Sequence, residues 1–178
     1  MSEEKKEPWL GYLALITVVL AVCATLSTFK GGGYSTRSVI SQAQASDQWA
    51  FFQAKSIREN MYRLQKESLT LSEDVLPANT AVAVRSRYEA AIAEAEKNVQ
   101  KYENEKNTIK TEAQRLEKQR DDAQRHGQPF GMAVIFLQVA ILISSIAGLL
   151  KRRPIWYAAL PFGVIGLLYF ADGFLLFL

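Results

Sequence analysis

The sequence predicts an all-α membrane protein: three transmembrane helices, with a long antiparallel coiled-coil hairpin between the first and the second. Two observations carry that prediction. Apolar runs long enough to cross a bilayer stand at both ends of the chain, and the charged middle carries unbroken heptad spacing. Average composition conceals this division. Hydrophobic residues make up 49% of the 178-residue chain, an ordinary value for a soluble domain. Yet Trp9–Phe29 and Phe130–Leu150 each supply 21 residues without a charge, and Ile155–Leu178 supplies 24 with Asp172 as the one charge. About 20 such residues cross a hydrocarbon core roughly 30 Å thick. The first run exceeds the apolar length of a signal peptide, and Leu20-Ala21-Val22-Cys23 has Val where a lipoprotein signal needs a small residue, so an uncleaved signal anchor is expected. Cys23, the only cysteine, lies inside that run and reads as a small packing residue.

Charge sets the expected orientation. Lys151, Arg152 and Arg153 crowd the short 151–154 loop, which favours the cytoplasmic side. Lys5 and Lys6 in the 1–8 tail agree, although Glu3, Glu4 and Glu7 surround them. The middle and the C-terminus then lie outside, in the periplasm of a Gram-negative cell or in the extracellular space. Lys30, Arg37, Lys118, Arg120 and Arg125 flank the membrane on that outer side, within a long translocated segment where the charge rule has little force. The segment from Lys30 to Pro129 holds 16 Lys and Arg against 14 Asp and Glu, a mixed solvated surface that offers nothing to nucleic acid.

The middle, residues 30–129, reads as two helices of about 36–71 and 80–126. Ile40, Ala43, Asp47, Ala50, Ala54, Ile57, Met61, Leu64, Ser68 and Leu71 alternate spacings of three and four, which marks a packing seam. Arg85, Tyr88, Ile92, Ala95, Val99, Tyr102, Lys106, Ile109, Ala113, Leu116, Arg120 and Ala123 do the same. Pro77 interrupts the helix between them, and Asn79 or Thr80 is the expected cap of the next. Helices of these lengths would run roughly 50 and 70 Å. Glu94/Lys97, Glu103/Lys106, Glu112/Arg115 and Glu117/Arg120 stand at the i,i+3 spacing of surface ion pairs. Gly31-Gly32-Gly33 and Gly127-Gln128-Pro129 are expected to break or hinge the helices at the membrane surface. His126 then reads as a solvated residue near a helix C-terminus.

Trp49-Ala50-Phe51-Phe52 wraps nearly the whole circumference of one helix, because consecutive side chains point about 100° apart. One partner helix covers one stripe, so these aromatics call for a second contact surface: another subunit, a further helix or the membrane interface. Asp47 falls on the expected seam, where a polar residue commonly fixes register or oligomer state. Asp47, Gln48, Trp49, Phe51, Phe52, Gln53 and Lys55 are therefore the candidate interaction residues. The stretch Ala45-Ser46-Asp47-Gln48-Trp49-Ala50-Phe51-Phe52-Gln53-Ala54-Lys55-Ser56-Ile57 resembles the core of a bacterial inner-membrane protein family known as a domain of unknown function, with the pattern A-S-D-Q-W, any residue, two aromatics, then Q-A-K. The resemblance implies an early span, a charged helical middle and paired spans at the end. It implies no activity. Members of that family often carry a His-rich N-terminal tail, which this chain does not have, so no metal role carries over.

Within the later spans, Ala140, Ser144 and Gly148 recur every fourth residue and Ala159 is followed by Gly163, spacings that let helices approach closely in lipid. Gln138 and Ser145 are candidates for interhelical hydrogen bonds, and Pro161 for a kink. Asp172 is the one ionisable group in the third run, expected at the outer headgroups, with a subunit contact and an ion path as alternatives. No enzyme, cofactor or metal pattern is legible: Gly31-Gly32-Gly33 lacks the residues of a phosphate loop, and Asp121-Asp122 reads as solvated surface. The expected function is that of a structural or interaction protein, a homo-oligomer or an accessory subunit of another envelope protein. The alternatives are an oligomeric channel with Gln138 and Asp172 near its pore, and a lipid organiser that lays Trp49, Phe51 and Phe52 on the bilayer.

Overall fold

The computed structural model describes residues 8–176. Lys5 and Lys6 of the expected tail, and Phe177 and Leu178 of the third apolar run, lie outside the described residues. The chain forms α1 (Pro8–Asp74), α2 (Val82–Leu149) and α3 (Arg153–Leu175), with no strand among the described residues. Each helix contains a stretch long and apolar enough to cross a membrane.

The expected breaks are absent. α1 continues through Gly31-Gly32-Gly33, and α2 through Gly127-Gln128-Pro129. Close approach accounts for two of these glycines. A Cβ on Gly31 would stand 3.2 Å from that of Phe130, and one on Gly127 3.4 Å from that of Tyr34. The third glycine and Gly32 meet nothing within 4 Å. Pro129 has no N–H to offer the carbonyl one turn back, yet the helix carries on past it. His126 consequently stands in mid-helix.

Two compact units divide the chain: the described part of Met1–Ile40 with Gln119–Leu178, and Ser41–Lys118. In the first, Leu20, Ala24, Ala133, Leu137 and Ala140 form one buried cluster, and Trp9, Leu13 and Ala147 another. The small residues work as the spacing predicts. Ala140 and Ser144 are buried, and Gly163 brings α3 against Leu20 of α1 and Ala140 of α2. Gly166 fits against Leu137, where a Cβ would lie 2.7 Å from the side chain and 3.0 Å from the backbone nitrogen. A backbone atom cannot step aside. Gly166→Ala is therefore expected to cost about 1–3 kcal/mol by overpacking and to lower the thermal midpoint of the chain in detergent. Ser145 is exposed and its hydroxyl donates to the Ile141 carbonyl of its own helix, so it makes no interhelical bond.

Short turns join the helices. Between α2 and α3, Lys151 takes φ 51°, its N–H donates to the Gly148 carbonyl and that of Arg152 to the Ala147 carbonyl. This is the Schellman ending of a helix with lysine in the place usually held by glycine. Pro154 opens α3, where a missing N–H is harmless. Between α1 and α2, the Thr80 hydroxyl donates back to the Pro77 carbonyl at 2.7 Å and does not cap α2. The Ala81 carbonyl accepts from Arg85 N–H, so α2 begins after Ala81.

Candidate functional site

In the unit Ser41–Lys118 the two helices run antiparallel, since ascending partners on α1 meet descending partners on α2. The Trp49 indole N–H donates to Glu117 Oε1 at 2.8 Å. Lys55 pairs with Glu105 at 2.5 Å and lies 5.3 Å over the Tyr102 ring. Glu59 takes Lys106 from across the pair and Arg63 from its own helix. Tyr62 stacks on Tyr102 with centroids 5.7 Å apart, and Lys66 reaches Glu96. Hydrogen bonding from Lys55 holds the Glu105 carboxyl below the usual carboxylate range, and Lys66 does the same for Glu96. Of the four i,i+3 pairs expected on α2, Glu112–Arg115 forms, with two hydrogen bonds. Lys106, Glu117 and Arg120 engage Glu59, Trp49 and Asp121.

The expected seam on α2 is the one used: within this unit Ala95, Val99, Ala113 and Leu116 are buried and Tyr88, Ile92, Tyr102, Lys106 and Ile109 half-buried. On α1 the expected seam is overturned. All ten of its positions, Ile40 through Leu71, are exposed. The face against α2 is instead Ser41, Ala45, Gln48, Phe52, Lys55, Glu59, Tyr62, Lys66 and Leu69, buried or half-buried and also spaced alternately by four and three. These positions precede or follow the apolar ones by two residues, about 200° around a helix. The physical reason is charge matching. The α2 face presents Glu96, Glu105, Lys106 and Glu117, and only the polar face of α1 supplies their partners. The apolar heptads are left pointing outward, with Ile57, Met61, Leu64 and Leu71 between 62% and 65% exposed.

The predicted interaction residues are split by this arrangement. Trp49, Phe52 and Lys55 face α2, with Trp49 edge-on to Phe52 at 5.5 Å and Lys106 5.5 Å over the Phe52 ring; Gln48 is half-buried beside them. Asp47, Phe51 and Gln53 are exposed, together with the apolar stripe. Sequence reasoning read Ile57, Met61, Leu64 and Leu71 as an inner seam and so missed them as surface. Glu96 on α2, which has no basic residue three or four positions away on its own helix, was the available signal. A recess of about 750 Å³ borders the stripe, lined by Arg58, Met61, Tyr62, Leu64, Gln65 and Tyr102.

The other candidates belong to the first unit. Asp172 is 3% exposed and lines a cleft of about 540 Å³ with Arg125, Gln128, Pro129, Met132, Tyr169 and Leu176. Its neighbour Gly173 packs on the Phe130 ring, at the start of the second apolar run. Gln138 is exposed and about two turns deeper, beside the Leu137 that packs on Gly166. The structure does not bring Gln138 and Asp172 together. His126, half-buried, stacks on Tyr34 with centroids 5.1 Å apart, and its Nδ1 lies 3.2 Å from the Gly173 carbonyl. It joins α1, α2 and α3, and is not the solvated terminal residue expected.

A family model described as a domain of unknown function, DUF4337, matches residues 9–176. The chain belongs to the DUF4337 family. No curated protein and no solved structure matches it. The family match spans all three helices, so the hairpin and the apolar helices are parts of one inherited unit.

Proposed function

We propose that this chain is a non-enzymatic protein of the bacterial inner membrane, a structural or interaction protein whose coiled-coil hairpin assembles with further copies of itself. One observation carries the reading. Within the hairpin, α1 turns its ion-paired heptads inward and its apolar heptads outward, the reverse of what an isolated hairpin in water would favour. An exposed apolar stripe of this length marks an interaction surface, and heptad spacing suits a helix of the same kind. Service as an accessory subunit would use the same face against another envelope protein. For the pore reading, Gln138 and Asp172 lie apart; for the lipid reading, only Phe51 of the three aromatics faces outward.

The membrane assignment rests on the three apolar helices and on aromatics near both ends of the apolar stretch. Trp9 packs on Trp156 at 6.1 Å beside Tyr157, and Arg153 lies 5.8 Å over the Trp9 ring. Tyr34 and Tyr169 stand toward the opposite end. Such pairs of aromatic belts mark the two interfaces of a bilayer. With Lys151–Arg153 cytoplasmic, the turn near Glu73 faces outward. A Glu73→Cys variant should react with an impermeant maleimide in intact cells; reaction only after lysis would reverse the topology. For assembly, two differently tagged full-length copies expressed together should co-purify from detergent. Recovery of each tag alone at every expression level would refute self-association.

A further inference from the structure

The outward stripe also constrains how a second copy docks. We infer that copies pair through α1 in parallel and in register, with Asp47 of one facing Asp47 of the next as the weak layer of the interface. This rests on the self-association proposed above and specifies its geometry. Copies in one bilayer share an orientation. In every copy α1 is unbroken from Pro8 to Asp74, so the same number of helical residues separates each stripe position from the first apolar run. Equivalent residues therefore meet.

The flanks of the stripe suit this arrangement. Residues one before each Asp47-type position are Ser46, Gln53, Asn60 and Glu67, and those one after each Ala50-type position are Phe51, Arg58, Gln65 and Ser72. In a parallel pair each of the first set faces the member of the second set five residues on. Ser46 then meets Phe51, Gln53 meets Arg58, Asn60 meets Gln65 and Glu67 meets Ser72. No like charges oppose one another there. The layers themselves are Ala43, Ala50, Ala54, Ile57, Met61, Leu64 and Leu71, with Ser68 neutral and Asp47 the single charged member. Two carboxylates brought face to face repel, so the interface is held by its apolar layers and limited at Asp47.

Disulfide trapping in the full chain tests this, in a Cys23→Ala background reconstituted in nanodiscs. Ala50→Cys and Leu64→Cys should each form a covalent dimer with itself on mild oxidation. An exposed α2 control, Lys97→Cys, should not. When the Ala50→Cys and Leu64→Cys chains are mixed, a 50–64 heterodimer should stay at background; its appearance would mean antiparallel docking and overturn the inference. Asp47→Asn should strengthen association about fivefold, the relief of one like-charge contact, and an unchanged affinity would remove Asp47 from the interface. Co-purifying copies that give no homodimer at either position would refute this geometry while leaving self-association standing. Copies that do not co-purify would refute self-association itself.

Discussion

Lys106→Ala should destabilise the hairpin by about 3 kcal/mol, the loss typical when one member of a buried ion pair is removed. Glu59 is 3% exposed and holds Lys106 across the helix pair. Its other partner, Arg63, comes from α1 itself with a mostly exposed side chain, so it adds nothing to the contact between helices. Without Lys106 the buried Glu59 carboxylate would keep only Arg63 of its own helix and nothing from α2, and the ammonium resting over Phe52 would be lost as well. The double variant Glu59→Leu/Lys106→Leu removes both charges together and should return to within about 1 kcal/mol of the parent, because apolar replacement of a buried pair is often neutral. Denaturant unfolding of the full chain in detergent, followed by circular dichroism, would measure both. Equal losses in the single and double variants would show that the pair does not couple the helices.

Leu64→Asp should weaken self-association by about 3 kcal/mol, over a hundredfold, while leaving the hairpin folded. Leu64 is 65% exposed in the single chain, so the hairpin itself loses little when it becomes polar. At an interface the change acts on every copy at once. It removes apolar burial on each side and sets like charges opposite one another. Sedimentation of the variant at several protein concentrations would report the shift. A matching drop in helix content would instead mean that Leu64 supports the hairpin fold.

The helical apolar runs and the helical middle were legible because apolar length and heptad spacing are local properties of the chain, whereas their fusion into α1 and α2 was not. The α2 seam was legible too, where apolar residues dominate and either choice of partner buries them. The α1 seam was not. Two heptad sets coexist on that helix, and counting apolar residues selects Ile57, Leu64 and Leu71 over Lys55, Glu59 and Lys66. What decides between them is non-local: the acids Glu96, Glu105 and Glu117, some 30 to 68 residues away in the chain, need partners. The glycine breaks were misread for a related reason. Gly31 and Gly127 are favoured by close helix packing against Phe130 and Tyr34, and packing compensates for the poor helix propensity that the sequence shows. Asp172 and His126 likewise depend on neighbours from other helices that spacing along the chain does not reveal.

The outward apolar face of α1 calls for a partner, and the stoichiometry of the intact protein reports whether it has one. Light scattering of the full chain in nanodiscs, corrected for lipid, should give a whole-number multiple of the single-chain mass that persists on dilution into the micromolar range. A single-chain mass at every concentration, with Ile57, Met61, Leu64 and Leu71 still open to solvent, would contradict self-association.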